Sequence, residues 1–373
     1  MDSERRLHII AFDNPWPPDY GGVIDIFYKL KSLAEHGVRI TLHIFEYGRG
    51  PATEMQKYCD RIFYYPRKKL VNPFSLLPYI TASRNHPRLI TNLMKDDAPV
   101  LFEGLHTCLL LDHPVLGHRV RIVRMHNIEH RYYWQTARLE KNPVLKLWHF
   151  AESLRLKRFE RRLCKATAIL AISENDFMEL AGIFPATRHV GPFHSNEMVT
   201  SETGRGDYAL YHAKLSVAEN NRAALFLARE VFRGIGFKLV IAGSNPSKEL
   251  MRAVDANPSA TIIVNPSDTQ INELIKEAHI NVMPSFQTSG IKLKLINALY
   301  RGRFVLTNRL MVEGTGCEPL CEVAETTGEF RSRIEVLSMK PFEPEEAVRR
   351  ALLLKKLFDN DSGARAIIRI AGI

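Results

Sequence analysis

Cysteine is scarce in this chain: five residues in 373, odd in number and scattered. They make no disulfide framework of the kind that staples small secreted domains. Cys317 and Cys321 stand four apart, but no second Cys or His pair completes a zinc site. Long apolar runs are missing as well, and none approaches the roughly 20 residues that span a bilayer. The start, MDSERRLHIIAF, is charged, and Asp13 cuts its apolar run short, so it reads as a first strand and not as a signal peptide. Internal repeats and low-complexity segments are lacking too. A reduced, cytoplasmic setting is the expectation.

The length suits two domains of ordinary size, each with its own core. The charge is uneven. The formal net charge is +10, and residues 1–190 hold 28 Lys/Arg against 20 Asp/Glu. From Arg119 to Lys165 there are 13 basic and 4 acidic residues. Such a half suggests an anionic partner: nucleic acid, an anionic membrane surface or a phosphorylated acceptor.

The most informative stretch runs from Pro284 to Asn308, PSFQTSGIKLKLINALYRGRFVLTN. An apolar strand, His279 to Met283, enters a polar turn with the step Ser289-Gly290. An amphipathic segment from Ile291 to about Arg301 follows, stops at Gly302, and yields to a second strand, Phe304 to Thr307. This is a strand–loop–helix–strand unit of a parallel sheet. Its loop lies where open α/β sheets bind ligands, and its amides and positive helix end suit an anion such as a diphosphate.

The stretch resembles the donor-binding signature of retaining glycosyltransferases of family four, the glycosyl transferases group 1 domain with the GT-B fold. Pro284-Ser285, Gly290, Lys294, Ala298-Leu299, Gly302 and Val305 match the pattern of its Lys-containing branch. Two positions depart: Gln287 stands where many members have a first Glu, and Asn297 where they have a second. The resemblance implies two Rossmann-like, doubly wound α/β domains facing each other across a cleft. The expected division is 1–195 for the acceptor side, 205–345 for the nucleotide-sugar donor side, and 346–373 as helices packing back on the first domain.

The rest of the chain extends the resemblance. A strand from Leu7 to Phe12 runs into the Pro- and Gly-rich loop DNPWPPDYGG and a helix from Val23 to His36. Gly21 and Gly22 match the family's Gly-Gly turn, which lets backbone approach a ligand closely; an ordinary turn before a helix is the bland alternative. Pro73 to Met94 reads as mostly helical. The strand Val120 to Met125 ends at His126, and the family carries a His there that reaches the transferring sugar. Glu129 is expected to favour the positive end of the next helix. Lys146 to Lys165 reads as one helix with a basic polar face, either plainly solvated or docked on anionic lipid.

Residues 190–207 are polar and aperiodic, and the linker is expected there. In the second domain Ala213-Lys214-Leu215 occupies the place of the family's Gly-Arg/Asn-Leu, so Lys214 takes the Arg's phosphate role by resemblance. Glu219 stands at a position that is often Lys, and a carboxylate there repels a diphosphate. Asp268 is expected to cap a helix. Asp359-Asn360-Asp361 spells a metal–nucleotide motif of another glycosyltransferase fold, but an inter-helix turn favours these residues anyway.

The resemblance implies a hexosyltransferase that moves a sugar from a nucleotide-sugar to a glycan or lipid-linked acceptor in polysaccharide biosynthesis, with retention at the anomeric carbon. No metal and no further cofactor are expected. His126, by its neutral imidazole or its carbonyl, faces positive charge at the sugar. Gly21, Gly22, Lys214, Gln287, Ser289, Gly290, Lys294 and Asn297 hold the donor. In a helix Gly290, Lys294 and Asn297 share a face, and Lys292 points away from Lys294. A catalytically weak or inactive relative is the first rival, since Gln287 and Asn297 depart from the pattern. A nucleotide-sugar 2-epimerase of the same fold is the second. Nucleic-acid binding rests on charge alone and is not the reading. The expected setting is cytoplasmic, peripheral on the inner membrane face through residues 146–165.

Overall fold

The computed structural model describes residues 5–72, 75–286 and 292–373, so Gln287, Ser289 and Gly290 lie outside the described residues. The chain forms two compact units. The first holds the chain through Ser195 together with Phe358–Ile373, and the second holds the described residues between Asn196 and Leu357.

In the first unit the described strands are β1 (Arg6–Ala11), β2 (Arg39–Glu46), β3 (Arg61–Pro66), β4 (Val100–Glu103), β5 (Arg121–Met125), β6 (Ala168–Ala171) and β7 (Thr187–His189). All pairs are parallel, in the order β3-β2-β1-β4-β5-β6-β7. Ile9 stands in register with Leu42 on one side and Leu101 on the other. The central strands are apolar because helices cover both faces. On one face Ile9, Leu42 and Leu101 meet Ile26, Leu30 and Leu33 of the helix Gly21–Glu35, with Ile367 and Ala371 of the C-terminal helix. Ile10, Phe102 and Val123 point the other way and pack with Leu156, Phe159 and Leu180. Each such side chain, fully buried, contributes about 1.5–3 kcal/mol.

The second unit repeats the plan with β8 (Tyr208–Lys214), β9 (Lys238–Ser244), β10 (Ala260–Val264), β11 (Ile280–Val282), β12 (Phe304–Thr307) and β13 (Glu322–Val323), in the order β10-β9-β8-β11-β12-β13. Each sheet reverses its winding between its first and fourth strands. Ligands of such sheets bind at that switch point, outside the carboxyl ends of the strands. The helix Pro344–Leu357 belongs to the second unit, whereas Asn360–Ala371 belongs to the first. Ser32 Oγ donates to the carbonyl of Asn360, and the imidazole of His36 meets Asp361 at 2.6 Å.

Several local expectations need correction. Pro73 to Met94 is not mostly helical: the described part forms the short helices Tyr79–Ala82 and Pro87–Leu93, and Pro87 starts the second because its missing N–H costs nothing there. Lys146 to Lys165 is an α-helix from Pro143 to Phe159 and then a 3-10 turn, Glu160–Lys165. Ser267, not Asp268, caps its helix, through a reciprocal box with Gln270. The helix of the key stretch starts at Leu293, and Lys292 is the residue before it. Lys292 thus lies outside the helix, so helical spacing does not set where its side chain points.

Candidate active site

At the switch point of the first unit, neighbouring strands end in charged residues. β4 ends in Glu103, β5 carries Arg124 and leads to His126, and the helix after β1 supplies Asp25 and Lys29 one turn apart. All five side chains are buried. His126 Nε2 donates to the Glu103 carboxylate at 2.9 Å. A carboxylate only accepts, so Nε2 carries the hydrogen. Nδ1 has no hydrogen-bond partner among the described residues. The ring of Phe12, at the end of β1, meets the His126 ring edge-on at 5.3 Å. That same ring fills the space beside Gly22, where a Cβ would come within 2.7 Å of Phe12 Cζ. Gly21 opens the helix.

The charges around Glu103 balance. Lys29 Nζ bridges Asp25 at 2.9 Å and Glu103 at 2.7 Å. Arg124 gives Asp25 two N–H bonds, and the Phe193 amide gives it a third. Arg124 also donates to the carbonyls of Val190 and Gly191. Burial alone would raise the Asp25 carboxyl; Arg124 and Lys29 outweigh it and hold it well below the usual carboxylate range. Asp25, Glu103 and His126 bring three potential ligand atoms within 4.8 Å of one another. The Lys29 ammonium, however, stands between the two carboxylates where a bridging cation would. These residues form a closed ion-paired network and do not suit a metal.

Glu129 begins the helix Glu129–Leu139 and is buried. Burial, with Glu160 second, pushes its carboxyl up to about 8, so it is protonated at neutral pH. Glu129 stands in the first turn of this helix, as expected, and its burial opposes the charged form that a helix dipole favours. Beside it, burial and then Arg84 hold His106 well below the usual histidine range.

In the second unit β8 ends at exposed Lys214, and β11 leads to Pro284-Ser285. Asn308 clamps this turn: its Oδ1 accepts from the Ser285 amide and its Nδ2 donates to the Ser285 carbonyl. Glu219 faces the turn. Its carboxylate accepts from Ser285 Oγ at 2.8 Å and from the Phe286 amide at 3.1 Å. Lys294 is partly buried, with Nζ 5.5 Å from the centre of the Tyr211 ring. Burial pushes its ammonium down to about 8; Glu219 opposes the shift and Lys292 adds to it. Asn297 is engaged elsewhere: its Oδ1 accepts from Asn196 Nδ2 at 2.8 Å, and Asn196 Oδ1 accepts from Arg301.

Residues 207–334 match the sequence model of the family described as glycosyl transferases group 1. The match falls on the unit that carries Lys214, Glu219, Lys294 and Asn297. A relative from Klebsiella pneumoniae, described as an uncharacterized 44.6 kDa protein in the cps region, is 24% identical over 332 residues, covering 83% of this chain and 84% of that one. The crystal structure of TarM gives a TM-score of 0.69 at 9% identity, over 100% of this chain and 99% of its own. The structure of Anabaena Alr3699/HepE in complex with UDP and glucose gives 0.65 at 11% identity, over 99% of both chains. The fold is GT-B. Identities this low carry the fold alone; together with the domain match they support a glycosyltransferase.

The sequence reading singled out His126 but not Glu103, Asp25, Lys29 and Arg124. A signal for them was present. Asp25 and Lys29 are charged residues one turn apart in an amphipathic helix, Glu103 ends the apolar strand Val100–Glu103, and Arg124 follows Ile122-Val123.

Proposed function

We propose that this protein transfers a sugar from a nucleotide-sugar to a glycan or lipid-linked acceptor with retention of configuration, without a metal. The match of residues 207–334 to the glycosyltransferase domain carries the reading. Uridine diphosphate is the first nucleotide to test, because the HepE structure was solved with UDP and glucose. In this reaction negative charge grows on the leaving diphosphate. Lys294, Lys214 and the uncapped amides at the start of the helix Leu293–Arg301 supply the opposing field. Positive charge grows at the sugar, and His126, oriented by Glu103, answers it with a lone pair. The acceptor class is a growing polysaccharide or its lipid-linked precursor, met at an anionic membrane surface by the basic segment 146–165. No helix among the described residues is long and apolar enough to cross a membrane.

The direct experiment incubates the purified protein with a panel of UDP-sugars and measures nucleotide release with and without acceptor glycans. Release that depends on acceptor supports transfer. Failure of every nucleotide-sugar to bind or turn over sinks the reading. A second reading, a relative that binds donor with little turnover, is favoured by two observations: the Glu219 carboxylate on the Phe286 amide, and Asn297 tied to Asn196. Its signature is binding without release.

A further inference from the structure

A cavity of about 500 Å³ opens on the first unit beside the helix Pro143–Phe159. Lys157, Arg158 and Arg161 line it from one side, and Leu154, Ile183 and Phe184 give it apolar walls. Its two acids are already engaged. Glu160 accepts from both the amide and the imidazole of His130, and Glu179 pairs with Arg131. The three cations have no hydrogen-bond or ion-pair partner among the described residues, unlike Arg155 and Arg162 of the same segment, which pair with Glu152 and Asp112. Leu154 and Ile183 are 64% and 63% exposed. Leu147, Leu154 and Arg158 lie seven and four residues apart and so share a helix face, and Leu147 is 71% exposed. This face runs from apolar to basic as it reaches the cavity.

We propose that this cavity binds a single anionic lipid, its phosphate headgroup held by Lys157, Arg158 and Arg161 and the start of its chain by Leu154, Ile183 and Phe184. The inference deepens the membrane part of the reading above. Three unpaired cations around a cavity select an anion. A free phosphate would leave the apolar walls unused, and a neutral lipid would leave the charges unused. A lipid that stays in its bilayer also explains why Leu147 and Leu154 face outward, since apolar side chains beside basic ones suit the headgroup boundary.

The test titrates the full chain with short-chain phosphatidic acid below its micelle concentration, with short-chain phosphatidylcholine, and with inorganic phosphate. Saturable binding of the phosphatidic acid alone is expected. The double variant R158E/R161E should weaken it by at least about tenfold, the scale of two lost phosphate contacts. Ile183→Ser should weaken it while retaining the charge requirement. Melting temperature and UDP binding, read on the same variants, should not move. Equal binding of inorganic phosphate, or equal binding by R158E/R161E, overturns the proposal. In parallel, wild-type protein is floated with phosphatidylcholine vesicles with and without phosphatidic acid. Flotation that needs phosphatidic acid, without soluble-lipid binding, keeps the membrane reading and removes the cavity as its basis. No flotation and no soluble-lipid binding remove both.

Discussion

His126 donates its Nε2 hydrogen to Glu103, and that bond of 2.9 Å fixes which face of the imidazole is left for chemistry. Both residues are buried at the carboxyl ends of adjacent parallel strands. Glu103 is also ion-paired with Lys29, so the orientation of His126 is tied to the whole network. His126→Ala leaves the pairing of Glu103 with Lys29 intact. We expect it to fold and to lose at least ~10²-fold in turnover, the scale of one positioned transition-state contact. Glu103→Gln keeps an acceptor for the ring but removes the charge paired with Lys29, so both turnover and stability should fall. Normal turnover in a folded His126→Ala variant would take this half-site out of the reaction.

Asp25 is the keystone of the same network in a stability sense. Removing one partner of a buried ion pair leaves the other uncompensated, at a cost of about 3–5 kcal/mol. Asp25→Ala leaves Arg124 and Lys29 with less counter-charge, so its unfolding free energy, read by urea titration, should fall by that amount relative to wild type. The pH sign follows from the lowered carboxyl. Its stabilisation is complete above the unfolded value near 4 and is lost as pH falls through that value towards the folded one. A variant as stable as wild type would mean that the network adds nothing to folding.

What the sequence showed and what it hid divide along one line. Period and punctuation placed the strands around His126 and the key stretch, because a buried parallel strand is a short apolar run with clear ends. They hid the charged network, because Asp25 and Arg124 are 99 residues apart and no local pattern pairs them. They also hid the end of the basic helix at Phe159. Glu160 turns inward to His130 there, and periodicity does not distinguish an α-helix from the 3-10 turn that follows. In the donor half, the spacing that would put Gly290, Lys294 and Asn297 on one face assumed a helix that starts at Ile291; among the described residues it starts at Leu293.

A second buried chain predicts a pH dependence of stability. Asp96 accepts from His8 Nε2, His8 Nδ1 accepts from His43 Nε2, and His43 Nδ1 accepts from Tyr65, each at 2.8 Å. Burial holds both histidines below the usual range, His43 well below it. A lowered histidine contributes stability that is complete above the unfolded value near 6.5 and is lost as pH falls through it. Each pH unit below that costs up to ~1.4 kcal/mol per histidine. Glu129 has the opposite sign. Its carboxyl is raised to about 8, so it contributes less as pH rises from the ordinary carboxylate value towards 8. We therefore expect a Glu129→Gln variant to lose stability more steeply than wild type between pH 6.5 and 5, in urea unfolding at each pH. A slope equal to or shallower than wild type would show that Glu129 takes up no proton on folding in this range.

The donor half yields the last prediction, from the charges of Glu219, Lys292 and Lys294. Glu219 accepts from the Phe286 amide and from Ser285, so an anion already sits on the loop that a leaving diphosphate approaches. The same carboxylate favours the charged form of Lys294, whose ammonium burial lowers to about 8. Lys294→Ala should weaken UDP binding by ~1.5–3 kcal/mol, the range for a hydrogen bond to a charged group. Lys292 sits at the helix start and acts on Lys294, so Lys292→Ala should weaken binding less than Lys294→Ala does. Glu219→Gln keeps an acceptor for the Phe286 amide but removes the negative charge, and it should bind UDP more tightly than wild type. Affinity in wild type should also fall as pH rises through about 8, where Lys294 gives up its proton. Titration calorimetry of the three variants at pH 7, and of wild type from pH 7 to 9, separates these effects. Weaker UDP binding in Glu219→Gln would mean that the carboxylate shapes the loop for its ligand instead of opposing it.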